Sequence, residues 1–140
     1  MGLKLAHITL VVADYDEAID FYTRKLGFVL LEDTPLSETK RWVVLAPPGA
    51  PGCALLLGKA TTDEQRARIG NQTGGRVFLF LHTDDFDRDY QNLLRREVTI
   101  VRPPALEPYG KVTVFADLYG NLWDLIESNK RWSQVSNATN

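Results

Sequence analysis

The sequence predicts an α+β fold made of two successive βαβββ modules, and three observations predict it. The segment HITLVVADYDEAIDFYTRKLGF from His7 returns as FLFLHTDDFDRDYQNLLRREVT from Phe78. Leu10 thus falls on Leu81, Asp14 on Asp85, Tyr15 on Phe86, Asp16 on Asp87 and Lys25 on Arg96. A second echo follows each segment, VVLAPPGAPGCALLLG against TVFADLYGNLWDLIE, in which Ala46 meets Ala116 and Leu56 meets Asp124. Within each copy the hydrophobic period passes from the alternation of a strand to the spacing of a helix and back. A duplicated unit buries its apolar face against its twin, so the seam between copies is where a pocket is expected.

Residues 5–12 alternate and are rich in β-branched side chains, the pattern of a first strand. Asp14 opens a helix as its cap or first-turn acid, and Asp16 and Glu17 suit the positive end of that helix. Ala18, Phe21, Tyr22 and Leu26 recur at helical spacing, and Gly27 ends the helix. Residues 28–32, 41–46 and 53–58 read as three strands separated by Pro and Gly turns. A linker over 59–75 holds a short helix at 62–69 before Gly74-Gly75 resets the chain. The second copy repeats the order, with a strand at 76–83, a helix at 85–96 and strands at 98–102, 112–117 and 122–126. Pro103, Pro104 and Pro108 predict a long stiff loop over a pocket mouth. The modules occupy 1–68, with the linker, and 69–128, one structural domain overall, followed by a polar tail at 129–140, of which residues 133–140 are expected to fray.

A chain of 140 residues fits one domain or two half-sized modules sharing a core. With 44% hydrophobic and 24% charged residues it has the composition of a globular protein, not of a disordered one. A net charge of −2 with scattered lysines and arginines offers no footprint for nucleic acid or an anionic membrane. No apolar run approaches the roughly 20 residues that span a bilayer. The first residues run straight into a strand pattern rather than a signal peptide. The lone Cys53 excludes an intramolecular disulfide, fits a reducing cytoplasm and reads as packing at the start of a buried strand.

Alternation also sorts the strand faces. If Ile8, Leu10 and Val12 pack beneath the first helix, His7, Thr9 and Val11 face away from it. If Val77, Leu79 and Leu81 pack beneath the second, Phe78, Phe80 and His82 face away. On the last strand Leu122, Asp124 and Ile126 share one face, and Trp123, Leu125 and Glu127 the other. His7, Leu56, Phe78 and Asp124 are then the four symmetry-related positions nearest the seam.

An ionised carboxylate at Asp124 is costly among apolar neighbours unless paired, and His7 is its expected partner. That pair would make His7 useful as a base or as a donor to a ligand oxygen. Glu127, on the opposite side, reads as a solvated or edge residue. Arg41 and Trp42 alternate, so one of them points inward; Arg41 either grips a carboxylate or phosphate or lies on the surface. His82, at a strand end, either reads a ligand from the rim or caps the loop. Phe78 and Phe80 offer a stacking surface, and Tyr109, in Glu107-Pro-Tyr-Gly, a hydroxyl or simply a turn. Asn71-Gln-Thr-Gly-Gly is not a phosphate loop, since it lacks the Lys-Ser/Thr ending and precedes a strand. No Ser-His-Asp or Cys-His arrangement is visible.

These residues carry a family likeness. The paired βαβββ units, the HITLVVADYDEAIDFYTRKLGF opening and the ending Asp117-Leu-Tyr-Gly-Asn-Leu-Trp-Asp-Leu-Ile resemble the vicinal oxygen chelate superfamily. That group includes glyoxalase I, extradiol dioxygenases, fosfomycin-resistance enzymes and bleomycin-binding proteins. The resemblance runs from Leu3 to Glu127 and implies a glyoxalase-like fold, with curved mixed sheets around a cleft, often assembled across a homodimer. Metal-dependent members hold a divalent ion with side chains from the first and last strands of each module. Carried over, those places are His7, Leu56, Phe78 and Asp124. Leucine and phenylalanine have no donor atom, and two protein ligands are one short of the usual three of a catalytic Zn or non-haem Fe(II) site. His82 does not complete the set, because it lies four residues, about 13 Å of strand, beyond Phe78.

The expectation is therefore a cytoplasmic, metal-independent protein that binds a small amphipathic or aromatic molecule, with no nucleic-acid or membrane partner. Its ligand contacts are expected at His7, Thr9, Arg41, Phe78, Phe80, His82, Tyr109 and Asp124. Two alternatives stay open. One is a metal enzyme holding Zn, Ni, Mn or Fe, a glyoxalase-like lyase or isomerase or a dioxygenase, with His7 and Asp124 as its catalytic pair. The other is a non-catalytic dimerisation module.

Overall fold

The computed structural model describes residues 2–49 and 52–129; residues 130–140 of the expected tail lie outside the described residues. The chain divides between Gln72 and Thr73 into two compact units. Unit 1 runs β1 (His7–Val12), α1 (Tyr15–Asp20), β2 (Val29–Pro35), β3 (Arg41–Ala46), β4 (Ala54–Lys59) and α2 (Asp63–Arg66). Its strands lie in the order β1-β4-β3-β2, with β1 parallel to β4 and the other pairs antiparallel. Unit 2 runs β5 (Leu79–His82), α3 (Phe86–Arg95), β6 (Thr99–Glu107), β7 (Gly110–Ala116) and β8 (Leu122–Ser128). Its order, β5-β8-β7-β6, repeats the same mixed topology.

The duplication holds at the level of register. Thr9 lies beside Leu56 in unit 1, and Phe80 beside Asp124 in unit 2, the same positions that the sequence repeat equates. Even the irregularities recur: the outer strand shifts register between Leu30 and Glu32 in one unit and between Ile100 and Arg102 in the other. Such bulges twist an edge strand and hinder unwanted pairing with another chain.

Helices α1 and α3 each begin on the aspartate the sequence picks out. Asp14 Oδ2 accepts from Glu17 N at 2.9 Å, and Asp85 Oδ1 accepts from Arg88 N at 3.1 Å, caps worth about 1 kcal/mol apiece. The first helix does not stay α-helical, however. It widens into a π-helical turn over Phe21–Lys25, where Thr23 Oγ1 donates to the Ile19 carbonyl at 2.7 Å. Beneath it Leu10, Val12, Val43, Leu45 and Leu57 form a buried core with Ala18 and Tyr22. In unit 2, Phe86 and Leu93 of α3 are buried with Phe115, Trp123 and Leu125, and the Phe115 and Trp123 rings stack at 6.1 Å.

Three sequence expectations are corrected. The proline loop at 103–108 is instead strand: β6 runs through Pro103 and Pro104 to Glu107 and turns only at Pro108 and Tyr109. An outer strand has one side free of ladder bonds, and the register shift between Arg102 and Ala105 absorbs both prolines. Cys53 is exposed, because β4 starts one residue later at Ala54. Glu127 is not an idle edge residue: its Oε1 accepts from Phe86 N at 2.7 Å and so holds the first turn of α3.

Close approach explains one glycine. Gly110 opens β7 with φ +149°, and a Cβ there would lie 2.3 Å from the Glu127 carbonyl oxygen of β8. No helix among the described residues is long and apolar enough to cross a membrane.

Candidate functional site

In unit 1 the pairing of β3 with β4 covers only Val43–Leu57, Val44–Leu56 and Leu45–Leu55, although both strands continue beyond Val43 and Leu57. Where the ladder ends, a cavity of about 440 Å³ opens. Its walls come from the start of β3, with Lys40, Arg41 and Trp42, and from β4, with Leu56, Leu57, Gly58 and Lys59. Tyr15 of α1, the hydroxyls of Ser37, Thr39 and Thr61, and Gln65 of α2 complete it. The buried Tyr15 hydroxyl accepts from Arg41 N at 3.3 Å. The Thr62 hydroxyl accepts from Gln65 N at 3.1 Å, while Gln65 Oε1 accepts from Thr61 N at 2.8 Å, so α2 is pinned beside the opening.

Of the alternating pair Arg41 and Trp42, the tryptophan takes the face away from the helix. Its ring lies edge-on to the His7 imidazole at 5.9 Å. Arg41 lines the cavity but is already engaged on the helix side. It pairs with both oxygens of Asp33 at 3.0 and 2.6 Å, reaches Asp16 at 2.9 Å, and lies 5.2 Å over the Tyr15 ring. The hydrogen bond from Arg41 holds the Asp33 carboxyl below its ordinary range. His7 and Thr9 lie exposed on the other face of β1, where alternation places them. Gln72, from the stretch that is no phosphate loop, has a structural task instead. Its amide exchanges hydrogen bonds with Val11 N and O, covering the outer edge of β1.

In unit 2 the matching face is read straight across four strands by register: Phe80 of β5, Asp124 of β8, Val114 of β7 and Arg102 of β6. Phe80 is 57% exposed, an unusual state for a phenylalanine within a sheet. Asp124 is the reverse, a carboxylate only 8% exposed whose Oδ1 has no hydrogen-bond partner among the described residues. Burial pushes its carboxyl above the ordinary carboxylate range, and the positive charge of Arg102 offsets part of that rise. Arg102 is a residue that strand alternation at the ends of each module did not single out. The repeat contains the signal, since Arg102 opposes Val114 as Glu32 opposes Val44.

The remaining candidates separate. His82 ends β5 opposite Ile126 and is exposed, but the loop beyond it is capped by its neighbour, Thr83 Oγ1 accepting from Asp85 N at 3.0 Å. Phe78 precedes β5 and donates its backbone N–H to the Leu122 carbonyl at 2.8 Å. Tyr109 stands at the tip of the β6–β7 hairpin, with its carbonyl accepting from Asn129 N at 3.3 Å, which fits the turn reading.

The ending that carries the family likeness proves to be turn chemistry. Asp117 Oδ1 accepts from Tyr119 N and Asn121 N, both at 2.9 Å, and Asp117 Oδ2 accepts from Asn121 Nδ2 at 2.9 Å. The aspartate of that motif closes the β7–β8 connection.

The places that the resemblance assigns to a divalent ion do not fit one. Leu56 and Phe78 present hydrocarbon, which leaves His7 and Asp124, two donors where a catalytic divalent ion usually takes three. No group of three or more His, Cys, Asp or Glu side chains able to hold a metal occurs among the described residues.

Comparison with known proteins places these features. Residues 4–125 match the sequence model of a family described as Glyoxalase/Bleomycin resistance protein/Dioxygenase superfamily. An uncharacterized protein of Shewanella frigidimarina is 58% identical over 132 residues, covering 94% of this chain and 98% of that protein. The crystal structure of UcmS2 is similar with a TM-score of 0.80 at 32% identity, covering 91% of this chain and 100% of that one. TnmS3, an antibiotic binding protein from Streptomyces sp. CB03234, is similar with a TM-score of 0.73 at 30% identity, covering 92% and 99%.

Proposed function

This chain belongs to the glyoxalase/bleomycin resistance protein/dioxygenase superfamily, and from that premise we propose that it is a metal-independent binder of a small amphipathic or aromatic molecule. The observation that carries the reading is the unit 1 cavity, whose 440 Å³ lies within the roughly 300–1,000 Å³ of small-molecule pockets. Trp42 offers a flat apolar wall, worth about 0.5–1.5 kcal/mol to an aromatic ligand beyond area burial. Leu56, of the same face parity as Trp42, extends that wall, and the hydroxyls and Gln65 supply orientation. Similarity to an antibiotic binding protein supports the same class of role.

The same reading assigns ligand contacts on unit 1 to His7, Thr9 and Arg41, and on unit 2 to Phe78, Phe80, His82, Tyr109 and Asp124. The hydrocarbon at Leu56 and Phe78 supports independence from Zn, Ni, Mn or Fe. A homodimer in the cytoplasm belongs to the proposal as well. Supporting the dimer, Val29, Leu30 and Leu31 stand 46, 39 and 58% exposed on the outer strand β2; the single Cys53 supports the compartment.

Thermal unfolding against a chemically diverse set of small molecules, with and without chelator, tests the reading. A ligand at 100 times its dissociation constant is expected to add about 2.7 kcal/mol of stability. That gain should persist in chelator, and elemental analysis should find no stoichiometric metal. Near-stoichiometric metal that disappears in His7→Ala, or stabilisation abolished by chelator, would establish the metal enzyme instead. A screen without a single stabilising compound would leave a bare dimerisation module.

A further inference from the structure

The charges around the unit 1 cavity have a consistent sign. Three of its lining residues, Lys40, Arg41 and Lys59, are basic and none is acidic, in a chain whose net charge is −2. The three are not equivalent. The guanidinium of Arg41 is neutralised by Asp33 and Asp16. Lys40 and Lys59 form no ion pair among the described residues, so no carboxylate competes for them. Lys40 leads into β3 and Lys59 closes β4, both beyond the last paired residues Val43 and Leu57 where the ladder stops. The same lining includes the hydroxyl residues Ser37, Thr39 and Thr61 and the apolar Trp42 and Leu56.

We propose that this cavity takes an amphipathic organic acid: an anionic head, carboxylate, sulfonate or phosphate, drawn to Lys40 and Lys59, and an aromatic or aliphatic body against the apolar part of the lining. The assignment rests on the small-molecule reading above and adds the charge of the ligand and two residues that recognise it. The physical basis is that lysine ammonium groups flanking an apolar wall give a charge-assisted contact to an anion, and give a cation only repulsion. The Ser37 and Thr39 hydroxyls add donors for the remaining oxygens of the head group, whereas the Thr61 hydroxyl already donates to Gln65 Oε1 at 3.1 Å. The preference should be screened by salt, because both lysines are exposed.

Two fluorescent probes with a common aromatic skeleton separate the possibilities. 8-Anilinonaphthalene-1-sulfonate carries an anionic head, and N-phenyl-1-naphthylamine does not. The wild-type protein is expected to bind the sulfonate at least tenfold more tightly than the neutral amine at low salt. Lys40→Gln/Lys59→Gln should lose that tenfold preference while melting at the wild-type temperature. Energy transfer from Trp42, isolated by comparison with Trp42→Phe, should report the bound sulfonate. A neutral probe that binds as tightly as the sulfonate overturns the anionic assignment, as does a preference that survives the double substitution. Failure of both probes to bind, in a protein that also fails the ligand screen, overturns the small-molecule reading beneath it.

Discussion

Replacing Asp124 with the side chain its twin position already carries, Asp124→Leu, should stabilise the protein at neutral pH. In unit 1 the repeat places Leu56 beside Thr9; in unit 2 it places Asp124 beside Phe80, with Oδ1 buried and without a donor. An acceptor buried in that state costs about 1–3 kcal/mol, at the upper end for a charged one. The entropy of unfolding near the midpoint is about 2.1 cal/mol/K per residue, or about 0.3 kcal/mol/K for this chain, so the midpoint should rise by about 3–10 °C. The sign of the pH dependence follows from the raised carboxyl. The native state keeps its proton in a range where the unfolded chain, with an ordinary carboxyl, has lost it. Wild-type stability therefore falls as pH rises from the ordinary value through the raised one. The advantage of Asp124→Leu should be greatest at pH 7 and shrink towards pH 4, as the unfolded chain also begins to take up the proton. Paired thermal melts of the two proteins at pH 4 and pH 7 measure it. A variant less stable than wild type at pH 7, or a gap equal at both pH values, would refute the argument that an unsatisfied carboxylate sits there.

Gly110→Ala should cost at least about 1–3 kcal/mol, since the added methyl meets a backbone carbonyl that cannot move without parting β7 from β8. Urea titration that finds the variant within 0.5 kcal/mol of wild type would contradict the close approach. Leu30→Lys should dissociate the proposed homodimer into monomers of unchanged secondary structure, read by sedimentation velocity at micromolar concentration. Wild-type protein sedimenting as a monomer would remove the dimer from the proposal.

Much of the scaffold was legible because duplication states it twice. Asp14 and Asp85 cap their helices, the last strands carry the predicted faces, and the equivalence of Leu56 with Asp124 survives as a register position. What escaped were features that a period cannot express. A π-helical turn keeps the apolar spacing of an α-helix closely enough that Phe21 and Tyr22 look the same in either. Prolines usually interrupt strands, so Pro103 and Pro104 read as loop until their edge position and the adjoining register shift were known. Glu127 was placed on the correct face, but its bond to Phe86 N joins residues far apart in the chain.

By itself, then, the sequence determined the α+β class, the order of elements, the faces of the strands and the hydrocarbon at two of four inherited positions, because these follow from periodicity and from one copy laid on the other. Only the tertiary structure decided that Arg41 is bound by Asp33 and Asp16, that Lys40 and Lys59 are left to flank a cavity, and that Asp124 lies buried with Arg102 as its balancing charge. The reason is that a charge acquires its role from what surrounds it in space. Those neighbours come from strands and loops that the chain order keeps apart and only the sheet register brings together.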